Sequence, residues 1–381
     1  MSAQADLAER AALSLIAADA RLFRDLALEP RFESVRPIAA LALMPFLSAF
    51  VYESARYIRR ANAAVGTPPH EDMLLTSRMR VKLTEDKYRT SAEVLENAEG
   101  LSAINSGWFL EGHRGLLGPL KRLLQPDLGL LFMDGEVVCT THVAFLNLGL
   151  TKEALSDSSL SLNNLGPHLR DTMVDVGEYV GLLLGMLGED AAVPGRVSEA
   201  KLGPMQYRDV KSAGFYGSIA RRVAPDRNEV SILLTQMLSQ TNTARILVPK
   251  VAGCREAAAL KIGFVSLFQT ALCLRKLLEE ERNAPFLQTD AIELVSETLT
   301  SEQVTDVLEN RGLRNALVHY GVGKRAASRL SSGLPLYGLV EAHADGETFA
   351  GVTNKVGAGL DHVSQGLRDL LPRMRTPQGT L

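Results

Sequence analysis

Near the C-terminus the chain reads RNALVHYG, Arg314 to Gly321, within LENRGLRNALVHYGVGKR. A guanidinium, an amide and an imidazole lie within six positions. An imidazole that titrates near neutrality can move a proton. A fixed guanidinium beside it can hold a phosphate oxygen and stabilise charge developing on it. On a helix, Leu313, Ala316, Leu317 and Tyr320 recur at i, i+3, i+4 and i+7 and form a core-facing stripe. Arg311, Arg314, Asn315 and His319 share the opposite arc, spread over roughly 140°. Asn315 and His319 are four apart and so are surface neighbours. Val318 sits in the middle of that polar arc, where an apolar side chain is useful only if something covers it, and a partner helix would. Gly321 is the expected C-cap, which places His319 in the last turn, where the helix dipole favours the protonated ring.

The elements that must position these groups read as mostly helical. ADLAERAALSLIAADARLFRDLAL has apolar residues at helical spacing and ends near Pro30. PIAALALMPFLSAFVY (37–52) is apolar but short for a membrane span and interrupted by Pro45 and Ser48, so it reads as a buried core helix. A second helix is expected from Phe46 to Ala64, before the turn VGTPPHED. LGLLFMDGEVVCTTHV has two β-branched, apolar runs around Asp134-Gly135, a hairpin signal, and DTMVDVGEYVGLLLGMLG returns to helix. From Asn228 onward NEVSILLTQMLSQTNTARIL and CREAAALKIGFVSLFQTALCLRKLLEEE are helices. TSEQVTDVLENRGLRNALVHYG is expected as one helix opening on a capping box of Thr300 and Gln303. LPLYGLVEAHADGETFAGVT reads as a second hairpin around Asp345-Gly346, and KVGAGLDHVSQGLRDLL as a terminal helix.

These elements divide the chain into a mostly helical N-terminal region (1–200) with one hairpin, a loop-rich basic connection (201–227), and a helical C-terminal domain (228–381) with a small hairpin. The fold class is mainly α. The connection carries six Lys or Arg against two Asp, among them Lys211, Arg221 and Arg222. It reads as a solvated boundary segment, with an RNA-contacting patch as the other possibility. Lys324, Arg325 and Arg329 follow the motif and either extend a positive rim, together with Arg311, or lie on a solvated loop.

Bulk composition narrows the class. The 381 residues are 46% hydrophobic and 22% charged with a formal net charge of −3, as in ordinary globular proteins. A nucleic-acid site therefore requires local clustering of charge. Cys139, Cys254 and Cys273 are odd in number, widely spaced and without a His cluster, so neither a disulfide framework nor a zinc site is supported and a reducing compartment fits best. The N-terminus MSAQADLAER lacks the apolar core of a signal peptide, and a cytoplasmic location is expected. No phosphate-binding glycine loop, Ser-His-Asp order or paired metal-binding acids occurs. EGHRG (111–115) and His168 in GPHLRD read as structural.

The pattern Arg-polar-(x)₃-His at the end of a helix, after a long apolar helix and before a terminal one, resembles the R-x(4–6)-H motif of the HEPN superfamily. The resemblance covers residues 228–381 only. It implies a HEPN-like helical bundle and a metal-independent endoribonuclease with no cofactor. In such proteins two copies face each other across a basic cleft, and the 2′-hydroxyl of RNA attacks the adjacent phosphate to leave a 2′,3′-cyclic phosphate. On this chain it makes Arg314 and His319 the catalytic pair and Asn315 the supporting polar residue. Many relatives are toxins or act in abortive infection and phage defence, which implies an RNA substrate, a homodimer and an antitoxin or defence-system partner, with the N-terminal region as sensor or regulator. The alternative is a catalytically silent module of the same fold that binds RNA, a nucleotide or a protein. Relatives paired with nucleotidyltransferase antitoxins carry His-x-Tyr, whereas here Tyr320 directly follows His319 and points to the core, which argues against its modification.

Overall fold

A computed structural model describes residues 3–33, 36–61, 70–83, 99–100, 103–104, 125–148, 162–192, 205–225, 227–253 and 256–371. The protein is mainly helical around one small antiparallel sheet. Helix α1 (Ala3–Leu28) ends before a short 3₁₀ turn at Pro30–Phe32. Helix α2 (Arg36–Ala61) begins ten residues earlier than the expected start at Phe46 and continues through Pro45, uniting the apolar stretch and the second helix in one element. Then come α3 (Glu71–Met79), strands β1 (Leu128–Met133) and β2 (Glu136–Thr140), α4 (Thr141–Asn147) and α5 (Leu162–Met186).

The Asp134-Gly135 hairpin is present. Both turn residues have positive φ, 52° and 78°, as a tight hairpin turn demands. Strand β3 (Gln206–Val210) adds to the other side of β1, giving the order β2-β1-β3. The segment expected to be loop-rich is thus β3 followed by α6 (Ser212–Val223). Asp127 fixes this start, accepting from the Ser212 amide at 2.7 Å and its hydroxyl at 2.8 Å. Its glycines and charges suggested loop, but main-chain pairing to β1 supplies what the local sequence lacks.

Helix α7 (Asn228–Asn242) passes through a π turn (Thr243–Leu247) into α8 (Val248–Ala252). That turn aims Asn242 Nδ2 at the Val137 carbonyl (2.9 Å) and Thr243 Oγ1 at that of Val138 (2.9 Å), so side chains satisfy carbonyls of β2. Helices α9 (Glu256–Asn283) and α10 (Thr289–Leu299) follow. The segment expected as one helix from Thr300 is two, α11 (Glu302–Glu309) and α12 (Arg311–His319). Thr300 closes α10, and Ser301 caps α11 through the Val304 amide. Asn310 then leaves helical geometry and caps α12, accepting from the Leu313 amide at 3.0 Å.

After α13 (Lys324–Ala327) and a 3₁₀ turn (Pro335–Gly338), α14 (Leu339–His343) leads into α15 (Phe349–Leu370). The expected C-terminal hairpin is therefore absent. Asp345 and Gly346 do take positive φ, 45° and 98°, but the reversal joins two helices. Thr348 caps α15 through the Gly351 amide, and Glu341 accepts from the Phe349 amide at 2.8 Å, so side-chain caps replace a strand ladder. A Cβ on Gly366 would lie 2.2 Å from Thr298 Oγ1 of α10, which is how closely α15 is seated.

A single hydrophobic core runs from α1 and α2 through the sheet to α9, α12 and α15, so the described N-terminal and C-terminal elements share one interior. Helices α2 and α9 are long and apolar enough to cross a membrane, but the apolar windows of those two helices are 78% and 89% buried within the protein. His168 lies in the second turn of α5. The EGHRG segment and Cys254 lie outside the described residues, and Cys139 and Cys273 are buried.

Candidate active site

Helix α12 has the two faces its spacing predicts. Leu313, Ala316, Leu317 and Tyr320 are buried to within 2% exposure. Arg311 and Asn315 are exposed, while Arg314, Val318 and His319 are partly covered. Helices α2 and α9 of the same chain cover them, Glu53 lying against His319 and Phe268 under Arg314.

Four helices contribute a stripe to a shared cavity. Asp19 and Phe23 come from α1; Phe46, Ala49, Phe50 and Glu53 from α2; Lys261, Ile262, Val265 and Gln269 from α9; Arg314, Val318 and His319 from α12. Arg78 of α3 and the following Lys82 close it. The cavity holds about 30 Å³, room for a water or two and for nothing larger. Gln269 is 1% exposed, and among the described residues neither of its amide atoms has a protein partner.

His319 is oriented by an acid. Its Nδ1 lies 2.9 Å from Glu53 Oε2, and Glu53 is almost fully buried. The other oxygen, Oε1, accepts from Arg78, whose guanidinium lies over the Tyr52 ring at 4.4 Å. Burial pushes the Glu53 carboxyl up, but contact with His319 and the charges of Arg78 and Arg56 outweigh it and hold Glu53 below the usual carboxylate range. The His319 side chain is 38% exposed. Since Nδ1 is turned inward to Glu53, the open edge is the one that carries Nε2.

Arg314 stacks over Phe268 of α9 at 5.6 Å and donates to Asn315 Oδ1 at 3.0 Å. Asn315 thereby steadies the guanidinium.

Behind the motif lies a buried triad. Asp19 Oδ2 accepts from Lys261 Nζ at 2.5 Å and from the Tyr320 hydroxyl at 2.6 Å, and Lys261 donates to that hydroxyl at 2.8 Å. Burial drives the Tyr320 phenol well above its ordinary value, and Asp19 adds to it. Burial also pulls Lys261 down, against the opposing pull of Asp19. Tyr320, rather than Gly321, is the C-cap of α12, with φ 55° and ψ 15°. A bulky side chain rarely adopts this left-handed conformation. The ring, buried to 1% and held by two hydrogen bonds, fixes it there. The triad thus ties α1 and α9 to the residue next to His319.

The remaining candidates are dispersed. Lys324 and Arg325 are exposed on α13. Arg329 is paired with Asp345 at 3.4 Å. Lys211, between β3 and α6, donates to the Gln125 carbonyl at 3.0 Å, and Arg221 and Arg222 end α6; none of the three lines the cavity. The residues that sequence reasoning missed are Glu53, Arg78, Lys82, Lys261 and Asp19. Glu53 left a signal, because Phe46, Ala49, Phe50 and Glu53 form an i, i+3, i+4, i+7 stripe in which the last position is an acid. Compared with family models, with curated proteins and with solved structures, the chain matches none.

Proposed function

We propose that the protein is a metal-independent endoribonuclease of HEPN type, with Arg314 and His319 as its catalytic pair and Asn315 in support. The observation that carries this reading is the pairing on one face of α12. Arg314 is held by Phe268 and Asn315, and His319 presents its Nε2 edge outward with Nδ1 turned inward, 2.9 Å from the Glu53 carboxylate. In the reaction His319 Nε2 takes the proton of the RNA 2′-hydroxyl, whose oxygen attacks the adjacent phosphorus. The bond from phosphorus to the 5′-oxygen breaks, that oxygen takes up a proton, and a 2′,3′-cyclic phosphate remains. Arg314 faces the charge gathering on the non-bridging oxygens.

The scissile phosphate approaches from the outer rim, since the cavity behind it is too narrow for a phosphate. Arg311, Lys324 and Arg325 are exposed and supply positive charge for the strand. The expected homodimer has to form over that same rim, because α2 already covers the inner part of the motif face. A role as toxin or defence effector, restrained by a partner, belongs to this proposal.

The test is cleavage of RNA by purified protein in EDTA, with analysis of the product ends. His319→Ala is expected to lower the rate by about 10²–10⁴-fold, and chelation to leave it unchanged. Full activity in the variant, or loss in EDTA, overturns the reading. The covering of the inner motif face by α2 and α9 favours a second reading, a silent module that binds RNA or a nucleotide without cleaving it.

A further inference from the structure

We propose that Glu53, delivered by the N-terminal helix α2, is the positioning residue for His319, so that the two ends of the chain build one catalytic unit. This rests on the ribonuclease reading of Arg314 and His319. Glu53 Oε2 is 2.9 Å from His319 Nδ1, an ion-pair contact off the line of a hydrogen bond, and Glu53 itself is 2% exposed. A buried acid on an otherwise apolar stripe is costly unless paired, and this one is paired twice, with Arg78 on its other oxygen. Arg78 prevents the carboxylate from rotating away, and its stacking on Tyr52 fixes Arg78 in turn. An acid on Nδ1 does two things for an imidazole. It selects the tautomer with its proton on Nδ1, leaving a lone pair on Nε2, and it stabilises the imidazolium formed when Nε2 takes a proton.

The charged and titratable groups around Glu53 come from every element packed on it. They are Arg56 on its own helix, Arg78 from α3, Lys82 beyond it, His319 and Arg314 from α12, Lys261 from α9, Asp19 from α1, and Tyr320. Arg78 and His319 touch the carboxylate directly. Two of the other cations are held by partners of their own, Lys261 by Asp19 and Tyr320 and Arg314 by Asn315. The orienting contact is therefore assigned to Glu53, not to Asp19.

The experiment compares wild type, Glu53→Gln, Glu53→Asp and His319→Ala in RNA cleavage across pH 5–9, with kcat and KM measured separately. A second readout is the tautomer of His319 by nitrogen-edited NMR. Glu53→Gln is expected to lower kcat by about 10- to 1000-fold with KM nearly unchanged, and to reshape the limb of the pH profile that His319 governs. Glu53→Asp should recover part of the loss. The wild-type spectrum should show the neutral ring protonated on Nδ1, and the variant spectrum a mixture. If His319→Ala is inactive but Glu53→Gln keeps wild-type kcat and pH profile, the positioning role is overturned. Faster cleavage by Glu53→Gln overturns it too, because the contact would then be a restraint. If His319→Ala cleaves like wild type, the ribonuclease reading itself fails. A wild-type ring protonated on Nε2 refutes the role of Glu53 even in a protein that cleaves nothing.

Discussion

Replacing Asp19 by alanine removes the one acceptor on which both Lys261 and Tyr320 converge. The Lys261 ammonium, 2.5 Å from the carboxylate and 8% exposed, keeps the Tyr320 phenol and ring as its nearest partners and no carboxylate in contact. Breaking a buried ion pair from one side costs about 3–5 kcal/mol, because the surviving charge is neither solvated nor compensated. The Tyr320 hydroxyl also loses its acceptor, but it still receives a hydrogen bond from Lys261, so the two losses overlap rather than add. Lys261 can limit the damage by giving up its proton. Burial already depresses its affinity for that proton, and loss of Asp19 removes the largest opposing influence.

The sign of the pH dependence follows. In the variant, folded Lys261 binds its proton more weakly than the unfolded chain does, and stability rises with pH wherever the unfolded state holds more protons. The deficit of Asp19→Ala is therefore greatest near pH 7 and shrinks towards pH 10. Urea unfolding of Asp19→Ala, Lys261→Met and the double variant at both pH values checks this. Each single variant should lose about 3–5 kcal/mol at pH 7. The double variant should lose less than the sum by at least about 2 kcal/mol, since it leaves no orphaned charge. Singles that cost under about 1 kcal/mol, or a strictly additive double, would refute a stabilising triad.

Two further outcomes concern the scaffold. His142 is buried against Tyr216, and burial pushes its imidazole down to about 4 from 6.5, with Asp127 opposing. The unfolded chain takes up that proton first, so stability should fall by about 3 kcal/mol between pH 6.5 and 4 at 1.36 kcal/mol per pH unit; His142→Phe should flatten that slope in urea midpoints. At Gly366 an added Cβ meets Thr298 Oγ1 at 2.2 Å, so Gly366→Ala should cost about 1–3 kcal/mol, and pairing it with Thr298→Ala should recover part of the loss in thermal unfolding.

Much of the fold was legible because helical periodicity is a local property. The faces of α12 follow from the spacing of Leu313, Ala316, Leu317 and Tyr320, and the first hairpin from Asp134-Gly135. The errors have a common cause. Asp345-Gly346 is as good a reversal as Asp134-Gly135, but whether a reversal joins strands or helices depends on what its flanks pack against. Phe349 and Val352 face the core at helical spacing, and Thr348 caps the helix. Residues 206–223 look loop-like by composition, and only the free edge of β1 makes a strand of their first part. Long-range pairing leaves no mark in a local window.

The site shows the same limit more sharply. Val318, apolar in a polar arc, correctly signalled that something covers the motif face, but it could not say what. A covering helix was the expectation, and α2 of the same chain occupies the inner part of that face. The clue lay at the other end of the chain, where Glu53 continues the apolar stripe of Phe46, Ala49 and Phe50. A carboxylate on a core-facing stripe requires a donor from a facing element, and α12 has one in His319 at the edge of its own buried stripe. The misplaced acid of α2 is satisfied by a donor on the polar arc of α12, and neither helix alone can bury it. Asp19 on α1 and Lys261 on α9 obey the same rule. A polar residue that breaks an apolar stripe is thus a statement about a partner, and two such residues of opposite charge are a prediction of contact. Applied to this chain, that rule links α2 to the motif helix and α1 to α9. It also implies that removing Glu53 and His319 together should cost less stability than the two single losses combined.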